Sequence, residues 1–527
     1  MTDELTRFSL SARRAVESQD WATVEACVKN MLRRDASSAE GYFLAGLVQR
    51  AAHRPAMALQ AFEKALTLDP DRYDAAIELA NQYSIARRNG DAAALLARYV
   101  DRLDNSPVYL DLAGTIYNDI GMYRQAWPLY KQATTLQPGV DLFQANLAAC
   151  GVYLGKIEQA GAIYRALLER FPGHRRNHYQ LSRLAKATDA THVAQMQEIL
   201  HTSDDPPDQN VFLYYAIGKE LEDLERWQEA FEYYQRAGDA VTSVADYDVA
   251  ADVRLINTII EVCNTDWLAG QAGSGATHEP DKTPIFIVGL PRTGTTLTER
   301  IVSSHSLVGT VGETQFLQMV LRRESEVRSI ENMNPEMIET VASKDMALIA
   351  RGYLDSLRYR LGPEAMFIDK LPFNFLFLGF VARAFPDARI VHLGRNPMDT
   401  CFAMYKQVFT WAYKFSYSLK GLGQYYVAYD RLRTHWRQLL GDRMIEIEYE
   451  SLVADQEGQT RILLEKLGLE YEDACFNFDE NTVPSATASS VQVREKVHAR
   501  SVNKWTRFAE QLQPLKEYLE NAGITVE

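Results

Sequence analysis

Two rhythms of apolar residues divide this chain. Over roughly the first 260 residues, small and large apolar positions recur at helical spacing. Gly46, Ala80, Gly114 and Ala148 stand 34 residues apart. Ala58, Ala92, Ala126 and Ala160 form a second series, and Phe62, Leu96, Tyr130 and Tyr164 a third. Pro70, Asp104, Pro138 and Pro172 close successive units. Four series in one register predict stacked helical pairs. The small residue lets two helices approach, the large one fills the gap, and the proline ends the second helix. From Pro284 onward the rhythm changes to short apolar runs between helical stretches. Residues 285–288, 388–393 and 444–449 read as strands, and 367–372 as the end of another. That alternation predicts a parallel sheet covered by helices.

The 34-residue period is that of tetratricopeptide repeats. A weaker unit carries Gly218, Ala230, Phe231 and Tyr234. Units before residue 38 (Trp21, Val24, Leu32) and around 174–205 are degenerate, which leaves six to seven helical pairs over about residues 5–260. The expected organisation is an all-α repeat solenoid over 1–263, a linker over 264–283 rich in small and polar residues, and an α/β domain of P-loop type over 284–527. Solenoids of this kind expose a concave face suited to a peptide or protein. The competing roles for the array are joining two copies of the chain or bracing the second domain.

Composition narrows the function. The net charge is −14. It is concentrated early: 28 basic against 39 acidic residues precede Pro284, and 28 against 31 follow. An acidic first half argues against nucleic acid, whose phosphates need net basic surface. No apolar run approaches the length of a membrane span, and the first residues are polar and acidic, without the apolar core of a signal peptide. Cys27, Cys150, Cys263, Cys401 and Cys475 are scattered and odd in number. They suggest neither a disulfide framework nor a metal cluster, and no metal is expected. A reducing cytoplasm is the expected compartment.

The chemistry concentrates after the first strand. Gly289 and Gly294 bracket a loop containing Pro291, Arg292 and Thr293, and Thr295 and Thr296 open a helix. Backbone N–H groups and a helix N-terminus there form a cradle for an anion. The spacing is that of a P-loop, but Thr295 stands where the lysine for the β- and γ-phosphates belongs. The loop therefore points to a phosphate-bearing donor other than ATP or GTP.

The segments 291–296 and 395–403 resemble, in order, the 5′-phosphosulfate loop and the 3′-phosphate segment of the sulfotransferase superfamily. The resemblance is to tyrosylprotein sulfotransferases and to bacterial sulfotransferases fused to tetratricopeptide repeats. It implies 3′-phosphoadenosine 5′-phosphosulfate (PAPS) as donor, adenosine 3′,5′-bisphosphate (PAP) as product, and no metal. Arg292, Thr293, Gly294, Thr295 and Thr296 would hold the 5′-phosphosulfate, and Arg395 the 3′-phosphate. Glu313 matches the catalytic base, with an N-cap for a helix near Thr314 as its competing role. His305 is a second base candidate, structural in the resembling family. Lys370 matches the transition-state lysine, with a salt bridge to Asp369 or Asp387 as the alternative. Tyr449 matches a residue near the nucleotide or is a core tyrosine. Residues 489–498 and 504–505 match a donor-closing segment, in which Ser489 approaches the transferring group and Lys504 the 3′-phosphate. Arg494 adds a charge there.

One departure stands out. The family usually places serine where this chain has Ala403, so one 3′-phosphate contact is missing or comes from Lys406 or Gln407. The aromatic stretch of Trp411, Tyr413, Phe415, Tyr417, Tyr425, Tyr426 and Tyr429 reads mainly as core, with some members lining an acceptor pocket. The expected function is sulfuryl transfer to an acceptor hydroxyl, protein tyrosine among the options. The alternatives are a P-loop kinase-like phosphotransferase and a non-catalytic repeat scaffold.

Overall fold

The computed structural model describes residues 2–103, 105–270, 282–329, 331, 333–409, 412–487 and 489–526. Among them no helix is long and apolar enough to cross a membrane. The chain divides into two compact units, Met1–Leu154 and Gly155–Glu527.

The first unit is helical. Helices Thr2–Glu17 and Trp21–Arg34 are followed by Ala39–Ala51 with Pro55–Leu68, Tyr73–Ile85 with Asn89–Tyr99, Pro107–Asp119 with Tyr123–Leu136, and then Asp141–Tyr153. The repeat pattern has a steric cause. A Cβ at Gly114 would lie 2.9 Å from the Tyr130 ring, and one at Gly46 would collide with Phe62. Only glycine lets these helices close on the large residue that follows. Pro70 and Pro138 lie two residues beyond the helices ending at Leu68 and Leu136, which limits them as expected. Asp104 lies outside the described residues.

The second unit begins with helices Ile157–Arg170, Arg175–Ser182, Thr191–Thr202, Val211–Asp223, Trp227–Val244 and Val249–Val262. It continues into a five-stranded parallel sheet: β1 (Thr283–Gly289), β2 (Val308–Gly312), β3 (Met366–Asp369), β4 (Arg389–Gly394) and β5 (Met444–Glu448). Its order is β2-β3-β1-β4-β5. Residues 308–312, which the apolar pattern does not mark as a strand, pair with β3 at the edge of the sheet, with a bulge between Thr310 and Gly312.

The later of these helices share a core with one face of the sheet, while its other face packs in a separate apolar cluster. The Gly218 repeat holds, since a Cβ there would lie 2.7 Å from the Tyr234 ring. The outer face of the same helical pair packs on the α/β part. Tyr234 meets Phe402 edge-on, Phe231 meets Tyr405, and Trp227 meets Phe508. Compactness therefore divides the chain at 154/155 rather than at the sequence boundary of 264–283, because the helices past Gly155 bury their apolar faces against strands and helices that come later. Within 264–283, Thr265–Ala269 forms a short helix whose Trp267 donates to the Ala342 carbonyl at 2.9 Å. Residues 271–281 lie outside the described residues.

Candidate active site

All five strands are parallel, so their C-terminal ends open on one edge of the sheet, where α/β folds bind ligands. Each end delivers one of the expected residues. The loop after β1 carries Arg292, and Glu313 follows β2 directly. Lys370 follows β3, Arg395 follows β4, and Tyr449 follows β5. The bulge in β2 re-aims the residues just before Glu313, a common use of bulges beside functional sites.

Glu313 and Lys370 form an ion pair, and Glu299 lies 3.5 Å from the same ammonium. Burial alone would lower the Lys370 pKa, but the two carboxylates outweigh it and raise it. The alternative partners Asp369 and Asp387 are not used. Asp369 instead accepts from Tyr353 at 2.7 Å, Thr314 at 3.0 Å and Asn374 at 3.3 Å. Its complete burial pushes it up to about 7. Glu313 caps no helix, since the next one begins at Phe316 with Gln315 before it. His305 is structural: Nδ1 accepts from Leu307 N–H at 3.1 Å, and Nε2 meets the Glu470 carbonyl at 2.9 Å.

Neither Glu313 nor Lys370 lines the cavity of about 340 Å³ that the loop after β1 helps to form. Gly294, Thr295, Thr296, Arg292, Arg395, Tyr449, Ser489 and Lys504 all line it. So do Arg183, Lys219, Lys406 and Lys496, against the four carboxylates of Glu222, Asp223, Asp399 and Glu495. The cationic surplus suits an anionic ligand. Gly294 adopts φ +103°, and a Cβ there would lie 2.6 Å from the Tyr449 ring. The helix Thr295–Val302 that it opens has no side-chain cap, which leaves its first N–H groups for an anion. Arg292 also holds a left-handed φ of +71°. Its guanidinium donates to Ser489 and, at 2.9 Å, to Gln492, and contacts no carboxylate. Burial and the neighbouring Arg395 and Arg183 depress it to about 10. The Thr293 hydroxyl turns away to the Leu290 carbonyl at 2.8 Å.

The opposite wall is different. Arg395 donates to the carbonyls of Arg292 at 2.8 Å and Ser501 at 2.5 Å, and stacks on Tyr449. Its buried Nε finds no partner, the kind of orphan a ligand anion satisfies. Lys406 and Lys504 both pair with Glu222. Gln407 donates to the Tyr179 hydroxyl at 2.9 Å. Asp399 receives Asn503 N–H at 2.7 Å and Trp505 N–H at 3.0 Å, which pins the chain on both sides of Lys504. Arg494 does not line the cavity. Its guanidinium packs on Gly155, where a Cβ would lie 2.6 Å away, and its charge adds to the burial that depresses Arg300 to about 10.

Residues 284–473 match a sulfotransferase family, and residues 39–72 match a tetratricopeptide repeat. The chain joins tetratricopeptide repeats to a sulfotransferase-family domain. An uncharacterized protein of Aquifex aeolicus (strain VF5) is 28% identical over 80% of this chain and 56% of its own length. A protein-tyrosine sulfotransferase of Drosophila melanogaster is 25% identical over 42% of this chain and 46% of its own. The chain thus spans about half the length of these curated relatives. The sulfotransferase domain of the Synechococcus PCC 7002 olefin synthase is 18% identical, with a TM-score of 0.34 over 47% of this chain and 96% of that one.

Beyond the expected residues, Glu299 lies beside the Lys370 ammonium and Asp399 beside Lys504, and the helices before the sheet add Arg183, Lys219, Glu222 and Tyr234 to the cavity lining. Glu299 stands four residues after Thr295, one helical turn past the loop, so its nearness to Lys370 was open to inference from spacing. Nothing in the sequence marks Glu222, which lies in the last turn of a repeat helix like any solvated acid. Of the aromatic stretch, Phe415, Tyr417, Tyr425, Tyr426 and Tyr429 are buried core, and Phe415 stacks on Tyr425 at 3.7 Å. Tyr413 is near enough to Glu313 for the carboxylate to reinforce the upward shift that burial gives its phenol. Trp411 lies outside the described residues.

Proposed function

We propose that the chain transfers a sulfuryl group from PAPS to an acceptor hydroxyl, releasing PAP. The observation that carries this reading is that five parallel strand ends open on one edge of the sheet, where the residues after β1, β4 and β5 line an anion-suited cavity and those after β2 and β3 form the Glu313–Lys370 pair. The donor supplies an activated sulfuryl group. The uncapped N-terminus at Thr295 and Thr296, with Gly294 and Arg292, would hold its 5′-phosphosulfate. Tyr449 and Ser489 would flank the nucleotide, and Lys504 would reach toward the 3′ side. Glu313 would take the proton of the acceptor hydroxyl. Lys370, held by Glu313 and Glu299, would meet charge on the oxygen that leaves.

Protein tyrosine is one acceptor class. It is supported by similarity to protein-tyrosine sulfotransferases and by repeats of a kind that hold peptides. The five cysteines are unpaired and buried, which suits a reducing cytoplasm.

The test is incubation with ³⁵S-labelled PAPS and a cell extract, which should label acceptor molecules. Glu313→Gln should lower transfer by about 10²-fold or more and leave PAP affinity within about twofold. Undiminished transfer in that variant would remove Glu313 from its role. Turnover of Mg²⁺–ATP in place of PAPS would replace the reading with phosphoryl transfer.

A further inference from the structure

The two ends of the cavity are not in the same electrostatic state. At the first end Arg292 has no carboxylate partner and the helix at Thr295 is uncapped. At the other end a buried carboxylate already sits among the cations. Glu222 lies in the last turn of the helix Val211–Asp223, which precedes the sulfotransferase-family domain. Lys406 Nζ reaches its two oxygens at 2.7 and 2.9 Å, Lys504 Nζ binds Oε1, and the Tyr234 hydroxyl donates to Oε2 at 3.0 Å. This is a closed shell of donors around one anion, with Lys504 held in place by Asp399 on either side. Arg395 is committed to two backbone carbonyls, and position 403 is alanine.

The lysines expected near a second phosphate are therefore already engaged by the protein, position 403 offers no hydroxyl, and Arg395 has only its Nε unpartnered. We infer that Glu222 is a built-in counter-anion of the second phosphate subsite, competing with a nucleotide 3′-phosphate for Lys406 and Lys504. This rests on the donor reading above and specifies how that donor is recognised. Both anions need the same ammonium groups, so a 3′-phosphate must displace Glu222 or bind without them. The lysines respond to the same carboxylate. Burial and the neighbouring Lys504 depress Lys406 to about 8 although Glu222 opposes them, and the two lysines outweigh burial to hold Glu222 at about 2.

The experiment is calorimetric titration of adenosine 3′,5′-bisphosphate and adenosine 5′-monophosphate into the full chain and two variants. The wild-type chain should bind the two nucleotides within about threefold of each other. Glu222→Gln should tighten the bisphosphate by about tenfold or more and the monophosphate by less than about twofold. Tyr234→Phe, which removes one donor from Glu222 but keeps the ring, should move the bisphosphate in the same direction by about threefold. Melting curves establish that each variant is folded, and Tyr234→Phe decides the matter if Glu222→Gln is not. A wild-type preference for the bisphosphate of about tenfold that neither variant changes would overturn the competition. Equal changes for both nucleotides would overturn it too, because they would mark Glu222 as merely structural. Failure of both nucleotides to bind any of the three proteins would overturn the donor reading itself.

Discussion

Asp369 and Lys370 are neighbours in sequence, both fully buried, with opposite fates. Lys370 keeps its charge because Glu313 and Glu299 face it. Asp369 has only neutral hydrogen-bond donors and is pushed up to about 7. A carboxyl whose folded pKa exceeds its unfolded value binds its proton more tightly in the native state. Its contribution is complete below about pH 4, fades as pH rises, and is gone above about pH 7. Asp369→Asn should therefore flatten the loss of melting temperature between pH 4 and 7, an effect of up to about 4 kcal/mol. Parallel melts of wild type and variant across that range check it, and identical slopes would show that Asp369 titrates normally. Both residues were legible as the end of a strand, and the lysine as a functional group. The carboxyl's environment was not, because Tyr353 and Thr314 come from distant helix and loop positions.

Single elements show why the repeats were readable and the edge strand was not. The repeat rests on a pairwise steric rule, a small residue in one helix beneath a large one in the next, and such a rule prints itself on the sequence at fixed spacing. Gly46→Ala tests it by sign. In an open helix this change stabilises by up to about 1 kcal/mol. Against the Phe62 ring, overpacking costs about 1–3 kcal/mol. The expected result is a lower melting temperature, and a rise would disprove the close approach. Strand β2 has no such rule. Gly309 and Gly312 weaken its propensity, and its pairing with β3 exists only once the sheet has formed.

At the scale of the molecule, periodicity and cooperativity part company. The helical rhythm runs without a break through residue 154, so nothing in the pattern marks where one compact unit ends. The division follows from which faces are buried, and those partners lie far along the chain, as Phe231 with Tyr405 and Tyr234 with Phe402 illustrate. A fragment of residues 155–527 should accordingly melt cooperatively and bind PAP about as tightly as the full chain. A fragment beginning at 284 should aggregate, since it would bare Phe402, Tyr405, Tyr417 and Phe508 and lose Glu222. A well-folded, nucleotide-binding 284–527 fragment would refute this account.

The placement of one candidate site residue at the end of each of five strands has a further consequence. Each group hangs on a separate connection, while the sheet that spaces them lies out of reach beneath. Lengthening or recolouring one connection alters one contact and leaves the other four where they were. A scaffold wired in this way can drift toward new acceptors one loop at a time without renegotiating its foundation.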